Sequence, residues 1–284
     1  MNVSKEVQLL CNVLNLTETE LGYELGVTYE TVNNWKHNRK TIDESNLEKL
    51  YSYAYSKGIK FNNIYEQLLK ENNTSDKNVV LFHGAKRAFS MPIDIDKYSK
   101  PNNDFGKGFY LGEKYEQAAN YISNFNNDKV YAFRLDTKNL KFFKFNVDNS
   151  WMIAIAYYRG WLKDYEDHKV VRKVLDSIKD ADVIIAPIAD NRMFDIINEF
   201  IENFITDEQC RHALAATNLG FQYVLKTKKA VDSITYLQEM FVCKKEKEYW
   251  IDERLSLAKT GLQKVKMARI EYKNKGRYIE EILK

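Results

Sequence analysis

Residues 104–121 read DFGKGFYLGEKYEQAANY, and this stretch restricts the fold more than any other part of the chain. Gly106 and Gly108 flank a single lysine, which marks a backbone bend that bulkier residues adopt only with strain. Phe109-Tyr110-Leu111 then forms a short apolar strand. Beyond it Tyr115, Ala118, Ala119 and Ile122 recur at helical spacing, while Tyr121 lies about 100° off that stripe. The stretch predicts a turn, a strand carrying Tyr110 and a helix carrying Tyr121 eleven residues later. The core has no need of Tyr121.

The rest of the chain divides around this unit. Residues 1–71 are helical in pattern: VQLLCNVLNL, ETELGYEL, YETVNNW, SNLEKLYSYAY and FNNIYEQLL, with breaks at Thr17, Gly26, Asn38 and Gly58-Ile59. Residues 72–78 are polar and turn-forming, a linker. From 79 to 243 the character changes. VVLFHGA, GFYLG, VYAFRLD, LKFFKF, VIIAPIA, FQYVLKT and TYLQEMFVC are short runs rich in β-branched and aromatic residues, the mark of strands. Helices fall between them, among them WMIAIAYYRGWL, VVRKVLDSI and MFDIINEFIENFI, the last with apolar residues at 193, 197, 200 and 204. Residues 244–284 form a helical, basic tail. The expected class is therefore α+β, an all-α N-terminal domain followed by a mixed domain.

Charge narrows the functions available. A net charge of +3 does not by itself argue for a polyanion-binding protein, but the balance shifts along the chain. Residues 1–72 hold 8 basic and 10 acidic side chains, and residues 244–284 hold 12 and 7. Cys11, Cys210 and Cys243 are odd in number and in no CxxC pair, which suits a reduced, cytoplasmic protein without disulfide frame or metal site. The N-terminus lacks a signal-peptide pattern, and no apolar run is long enough for a bilayer, so no membrane association is expected.

Within the first domain, Gly26 reads as the turn between two helices, and Gly22, four residues earlier, as the small residue at their close approach. Leu21, Leu25, Val27, Val32 and Trp35 form the inner face, and Thr28 is an N-cap for the second helix. LTETELGYELGVTYETVNNWKHNRKTI resembles the helix-turn-helix of the phage-repressor and Cro class. That resemblance implies DNA binding by a dimer, with Thr28, Tyr29, Asn33 and Lys36 facing outward, Asn33 able to pair with adenine, and Lys36, Arg39 and Lys40 reaching phosphates. The acidic balance of residues 1–72 favours the competing reading, a helical docking or dimerisation domain that binds no DNA.

Three features of the second domain occur in order. VVLFHGA ends on His83-Gly84, the glycine–tyrosine unit follows, and FQYVLKT opens on Gln222. Together they resemble the ADP-ribosyltransferase superfamily, in particular the diphtheria toxin and poly-ADP-ribose polymerase class. They resemble still more a bacterial family of unknown function assigned to it, which shares DFGxGFYL, a segment like Ala189-Asp190-Asn191-Arg192 and a late Tyr/Phe-Gln strand. The resemblance covers roughly residues 79–243. It implies a split β-sandwich with helices, and NAD as substrate with no metal. It also implies a cleft where Tyr110 and Tyr121 stack on nicotinamide, His83 bonds the adenosine ribose and the Gly84 backbone pairs with the carboxamide. Stacked aromatic pairs contribute ~0.5–1.5 kcal/mol each beyond area burial.

The late strand departs from the superfamily. Its glutamate is replaced by Gln222, which can hydrogen-bond a ribose hydroxyl but brings no negative charge and cannot act as a base. Asp190 is the nearest candidate for the missing carboxylate, and an N-cap of the helix after it is the simpler role for that residue. Asp104 reads as a turn residue. Arg192 suits either the NAD pyrophosphate or a surface carboxylate. The basic tail suits either packing on the domain or contact with a polyanion. Two functions compete on these grounds. One is a cytoplasmic, bacterial mono-ADP-ribosyltransferase, a toxin of a toxin–antitoxin or phage-defence system. It would carry a DNA-binding module for autoregulation, act on a protein or nucleic-acid acceptor, and have an antitoxin and a second copy as partners. The other is a transcriptional regulator whose second domain senses NAD or ADP-ribose without chemistry. A third reading, a domain that has lost both activities, sits poorly with the intact glycine–tyrosine unit.

Overall fold

The computed structural model describes residues 2–86, 91–125, 129–215 and 219–284. The chain opens with α1 (Val3–Leu14), α2 (Glu18–Leu25), α3 (Tyr29–Lys36), α4 (Glu44–Ser56) and α5 (Phe61–Asn73). Then come β1 (Asn78–Ala85), α6 (Ile95–Tyr98), β2 (Phe109–Gly112), α7 (Tyr115–Ile122), β3 (Lys129–Asp136), β4 (Phe142–Lys144), α8 (Asn149–Tyr158) and α9 (Lys169–Ile178). The chain continues with β5 (Val183–Pro187), α10 (Asn191–Ile201), α11 (Asp207–Ala215), β6 (Phe221–Leu225), α12 (Lys228–Asp232) and β7 (Ile234–Met240). It closes with α13 (Lys244–Glu271) and α14 (Ile279–Ile282).

Local chemistry accounts for the helical start. Thr17 and Glu20 form a reciprocal capping box at α2, and Thr28 and Asp43 cap α3 and α4. Gly26 takes the left-handed conformation that ends α2, with φ of 64°. A Cβ on Gly22 would lie 3.0 Å from the Val27 carbonyl oxygen, so the small residue lets the turn back onto α2. Val7, Leu10, Leu21, Leu25, Val32, Trp35 and Leu50 are buried together.

The strands form one sheet in the order β4-β5-β6-β2-β1-β3-β7, antiparallel except that β4 runs parallel to β5. Where two packed half-sheets were expected, a single mixed sheet runs through. It is weakest at β1–β2. These strands share one paired position, Phe82 opposite Gly112, whereas β1 pairs with β3 along its whole length. Strand alternation and register place Phe82, Gly84, Tyr110, Gly112, Gln222 and Val224 on one face, and Leu81, His83, Phe109 and Leu111 on the other. The first face is covered on the β5–β6–β2 side by a cluster around Trp151 and Phe200, and on the β1–β3 side by α7 with Tyr115 and Ile122.

The N-terminal helices do not hang from a free linker. Phe241 and buried Cys243, after the last strand, belong to the α1–α5 core, and Leu69 of α5 packs with Phe82 and Tyr115. At this boundary the Asn62 amide lies within hydrogen-bond distance of the Tyr115 hydroxyl (2.7 Å), the Phe241 carbonyl (2.8 Å) and the Glu246 carboxylate (3.1 Å). The tail is a strap. α13 begins on this node, is tied to α7 by Arg254 bonding the Asn120 side chain at 3.0 Å, and ends beside α11. Packing on the domain, one of the two fates read for the basic tail, is thus observed. The apolar series 193, 197, 200 and 204 breaks at its last member, because α10 stops at Ile201 and leaves Phe204 exposed.

Candidate functional site

Tyr110 is the hub of the site. Its hydroxyl donates to the Gly106 carbonyl (2.7 Å) and accepts from the Phe105 amide (3.1 Å), so the strand residue fixes the loop ahead of it. Burial pushes its phenol above the ordinary range. Gly106 has φ of 69°, which explains the first glycine, and a Cβ on Gly108 would lie 2.6 Å from a Val224 methyl, which explains the second. Phe105 is fully buried and stacks on Phe145. The Lys226 ammonium caps the Phe105 and Lys107 carbonyls, and burial lowers its pKa to about 8.

This loop carries Asp104 inward. One carboxylate oxygen accepts from Arg159 at 2.7 Å and the other from the Gln222 amide at 3.2 Å. The same Gln222 nitrogen lies 3.4 Å from the Pro187 carbonyl. The Arg159 guanidinium sits 3.7 Å above the Phe194 ring. Asp104 is therefore more than the turn residue its sequence context suggests, because it meets a residue 118 positions away. Its context carries no signal of that pairing.

His83 stands beside this group on the other face of the sheet, against the Phe109 ring at 4.5 Å. Its Nδ1 reaches the Tyr110 carbonyl at 2.7 Å and so spans the place where β1 and β2 lack ladder pairing. A carbonyl only accepts, so Nδ1 carries the proton and Nε2 is the acceptor of the ring. Burial holds the imidazole at a pKa of about 4, against the Tyr110 bond, so it is neutral near pH 7. A Cβ on Gly84 would lie 2.6 Å from the Ala118 carbonyl, so glycine is required there for β1 to touch α7. That packing requirement comes from the fold itself, in addition to any ligand. Tyr121 is 58% exposed on α7, away from the buried stripe, near Lys86 at the end of β1. The Tyr110 and Tyr121 rings make no mutual contact.

Asp190 and Arg192, among the remaining predicted residues, have partners of their own. Asp190 is the N-cap of α10, accepting from Met193 at 3.0 Å, and pairs with Arg192. Its oxygens are engaged by the helix start and the guanidinium, which is the N-cap role read as the simpler one from the sequence. Arg192 also bonds the Leu257 carbonyl of α13 at 2.7 Å, so it binds a carboxylate and the strap.

On α3, Thr28 spends its hydroxyl on capping, and Asn33 accepts from Arg39 at 3.1 Å. Lys36 is paired with Glu18. Tyr29, Arg39 and Lys40 are exposed. Among the described residues no group of three or more His, Cys, Asp or Glu side chains is placed to hold a metal ion, and no helix is long and apolar enough to cross a membrane.

A family described as "protein of unknown function (DUF3990)" has a model that matches residues 79–236. No curated protein matches the chain. No solved structure matches it either.

Proposed function

The chain belongs to the DUF3990 family, and from that premise we propose that it binds NAD where β1 and β2 part and transfers its ADP-ribose to an acceptor. The observation that carries the reading is the junction itself. One paired position joins β1 to β2, and His83-Gly84, Tyr110 and Gln222 gather around it. Strand edges that lack a ladder partner have backbone donors and acceptors to offer, and a carboxamide such as that of nicotinamide matches them. The neutral His83 is the ribose partner that the resemblance implies. Exposed Tyr121 at the mouth of β1 supplies a ring for the nicotinamide face.

Chemistry at such a site is mainly positioning. The glycosidic bond of NAD already has a cationic leaving group, so holding ring and ribose apart along that bond lowers the barrier. The ADP-ribosyltransferase reading is tested by incubating the protein with adenylate-labelled NAD and a bacterial lysate. Label should enter protein or RNA with wild type and fail to enter with Tyr110→Ala. An unlabelled lysate with wild type would defeat the transferase.

A second reading, an NAD or ADP-ribose sensor without turnover, is favoured by one observation: Gln222 is neutral and stands where a carboxylate would act. It predicts NAD binding with no nicotinamide released. In either case the N-terminal helices are proposed to read DNA through α3, with exposed Tyr29, Arg39 and Lys40 as its contacts and Lys36 withdrawn. An antitoxin partner and a dimer on the operator belong to the same proposal.

A further inference from the structure

We propose that Asp104 provides, through Gln222, the acceptor and negative charge that a carboxylate on the late strand would otherwise bring. The inference rests on the NAD reading above and deepens it. Its basis is the direction of one amide. Gln222 Nε2 faces the Asp104 carboxylate at 3.2 Å and the Pro187 carbonyl at 3.4 Å. Both partners only accept, so the NH2 end must face them and Oε1 must face away. No described residue donates to Oε1. An amide that donates to an ionised acceptor is polarised, and its oxygen becomes a stronger acceptor. Gln222 thereby presents a fixed, polarised oxygen suited to a ribose hydroxyl.

The loop that delivers Asp104 is held at several points. Arg159 grips its other oxygen at 2.7 Å, Tyr110 fixes Phe105 and Gly106, and the Ser99 hydroxyl accepts from Gly108 at 2.9 Å. The carboxylate therefore does not swing with solvent, as an ordinary turn aspartate does. In the reaction, the bond from ribose C1′ to the nicotinamide nitrogen breaks and its electron pair goes to that nitrogen, neutralising the ring. The ribose is left with the positive charge. A nucleophile, water or the acceptor, then bonds C1′ and gives up its proton to solvent. Asp104, acting through Gln222, lowers the energy of the cationic ribose and is a positioning residue, not one that touches substrate.

This arrangement reverses the sign expected of one substitution. If Gln222 only filled a lost glutamate's place, Gln222→Glu would raise turnover. Beside Asp104 it instead sets two carboxylates at hydrogen-bond distance, which forces a shared proton. The test measures nicotinamide release and the calorimetric Kd for NAD across pH 5–9. It compares full-length wild type, Asp104→Asn, Gln222→Glu and the double variant, with denaturation midpoints as the folding check.

We expect Asp104→Asn to lose about 10²-fold in kcat and to weaken the Kd for NAD about tenfold. Gln222→Glu should fall below wild type and gain a titration in kcat that wild type lacks. The double variant should recover about tenfold over Asp104→Asn, a rescue that a folding defect does not give. Wild-type turnover in Asp104→Asn, or a Gln222→Glu variant faster than wild type with an unchanged pH profile, overturns the proposal. A wild type that binds NAD without releasing nicotinamide defeats the transferase reading alone. The Kd then decides: tenfold weakening in Asp104→Asn supports the proposal, and an unchanged Kd overturns it. A wild type that does not bind NAD overturns both.

Discussion

At the scale of single residues, two tyrosines with equal claims from sequence have different physical duties. The Tyr110 hydroxyl makes two bonds in a part-buried setting, and no bulk water replaces them fully. Tyr110→Phe should destabilise the protein by about 1–3 kcal/mol, read as a lower urea midpoint, and should open residues 101–108 to protease. Tyr121→Ala should change stability by less than about 0.5 kcal/mol, since its ring is largely in solvent. A large loss from Tyr121→Ala would place that ring in the core. Gly84 makes a third case. A methyl there meets the Ala118 carbonyl at 2.6 Å and the Ile122 Cγ2 at 2.8 Å, so Gly84→Ala should cost about 1–3 kcal/mol by overpacking, with or without NAD.

At the scale of elements, the helices and strands were legible in the sequence because their signals are local. β-Branched and aromatic runs mark β1 and β3, and helical spacing with the break at Thr17 and with Thr28 and Asp190 as caps marks α2, α3 and α10. What was not legible is how side chains far apart in the chain compete for one another. Lys36 has an outward-facing sequence position, yet Glu18 on the preceding helix captures it. Asp104 resembles any aspartate before a turn until β6 places Gln222 beside it. The weakness of the β1–β2 junction was equally hidden, since strand patterns do not reveal which ladder stops after one pair.

For α3 the pairing has a measurable consequence in DNA binding. Lys36→Ala should leave the salt slope of binding nearly unchanged, whereas Arg39→Ala and Lys40→Ala should each reduce it by about one unit. Equal slopes for all three variants would remove Arg39 and Lys40 from the interface.

Across the whole molecule, the N-terminal helices, the sheet and the strap meet at a buried carboxyl. Burial raises the Glu246 carboxyl above 4.5, opposed by bonds from Tyr115, Asn62 and Trp250, and burial raises Glu6 likewise against Tyr65 and Tyr51. A raised folded pKa means that the folded state binds the proton more tightly than the unfolded chain, so these groups favour folding more as pH falls. These two groups therefore add stability as pH falls toward the ordinary carboxylate range. His83, held neutral with a pKa of about 4, removes it as pH falls below 6.5, and carboxylates held low, such as Asp182 and Glu18, remove more at still lower pH. Thermal melts should show the stability of wild type rising relative to Glu246→Gln as pH falls, since only wild type carries the titrating carboxyl. A difference between the two proteins that does not change with pH would remove Glu246 as a contributor.

The claim on which the rest depends is that the parting of β1 and β2 receives NAD. Calorimetric titration of NAD into the full chain, wild type beside Tyr110→Ala and an Arg192→Ala control, tests it most directly. The account predicts saturable one-site binding to wild type and to Arg192→Ala, with at least tenfold weakening in Tyr110→Ala. No binding heat from wild type, or the same Kd in all three, would contradict it.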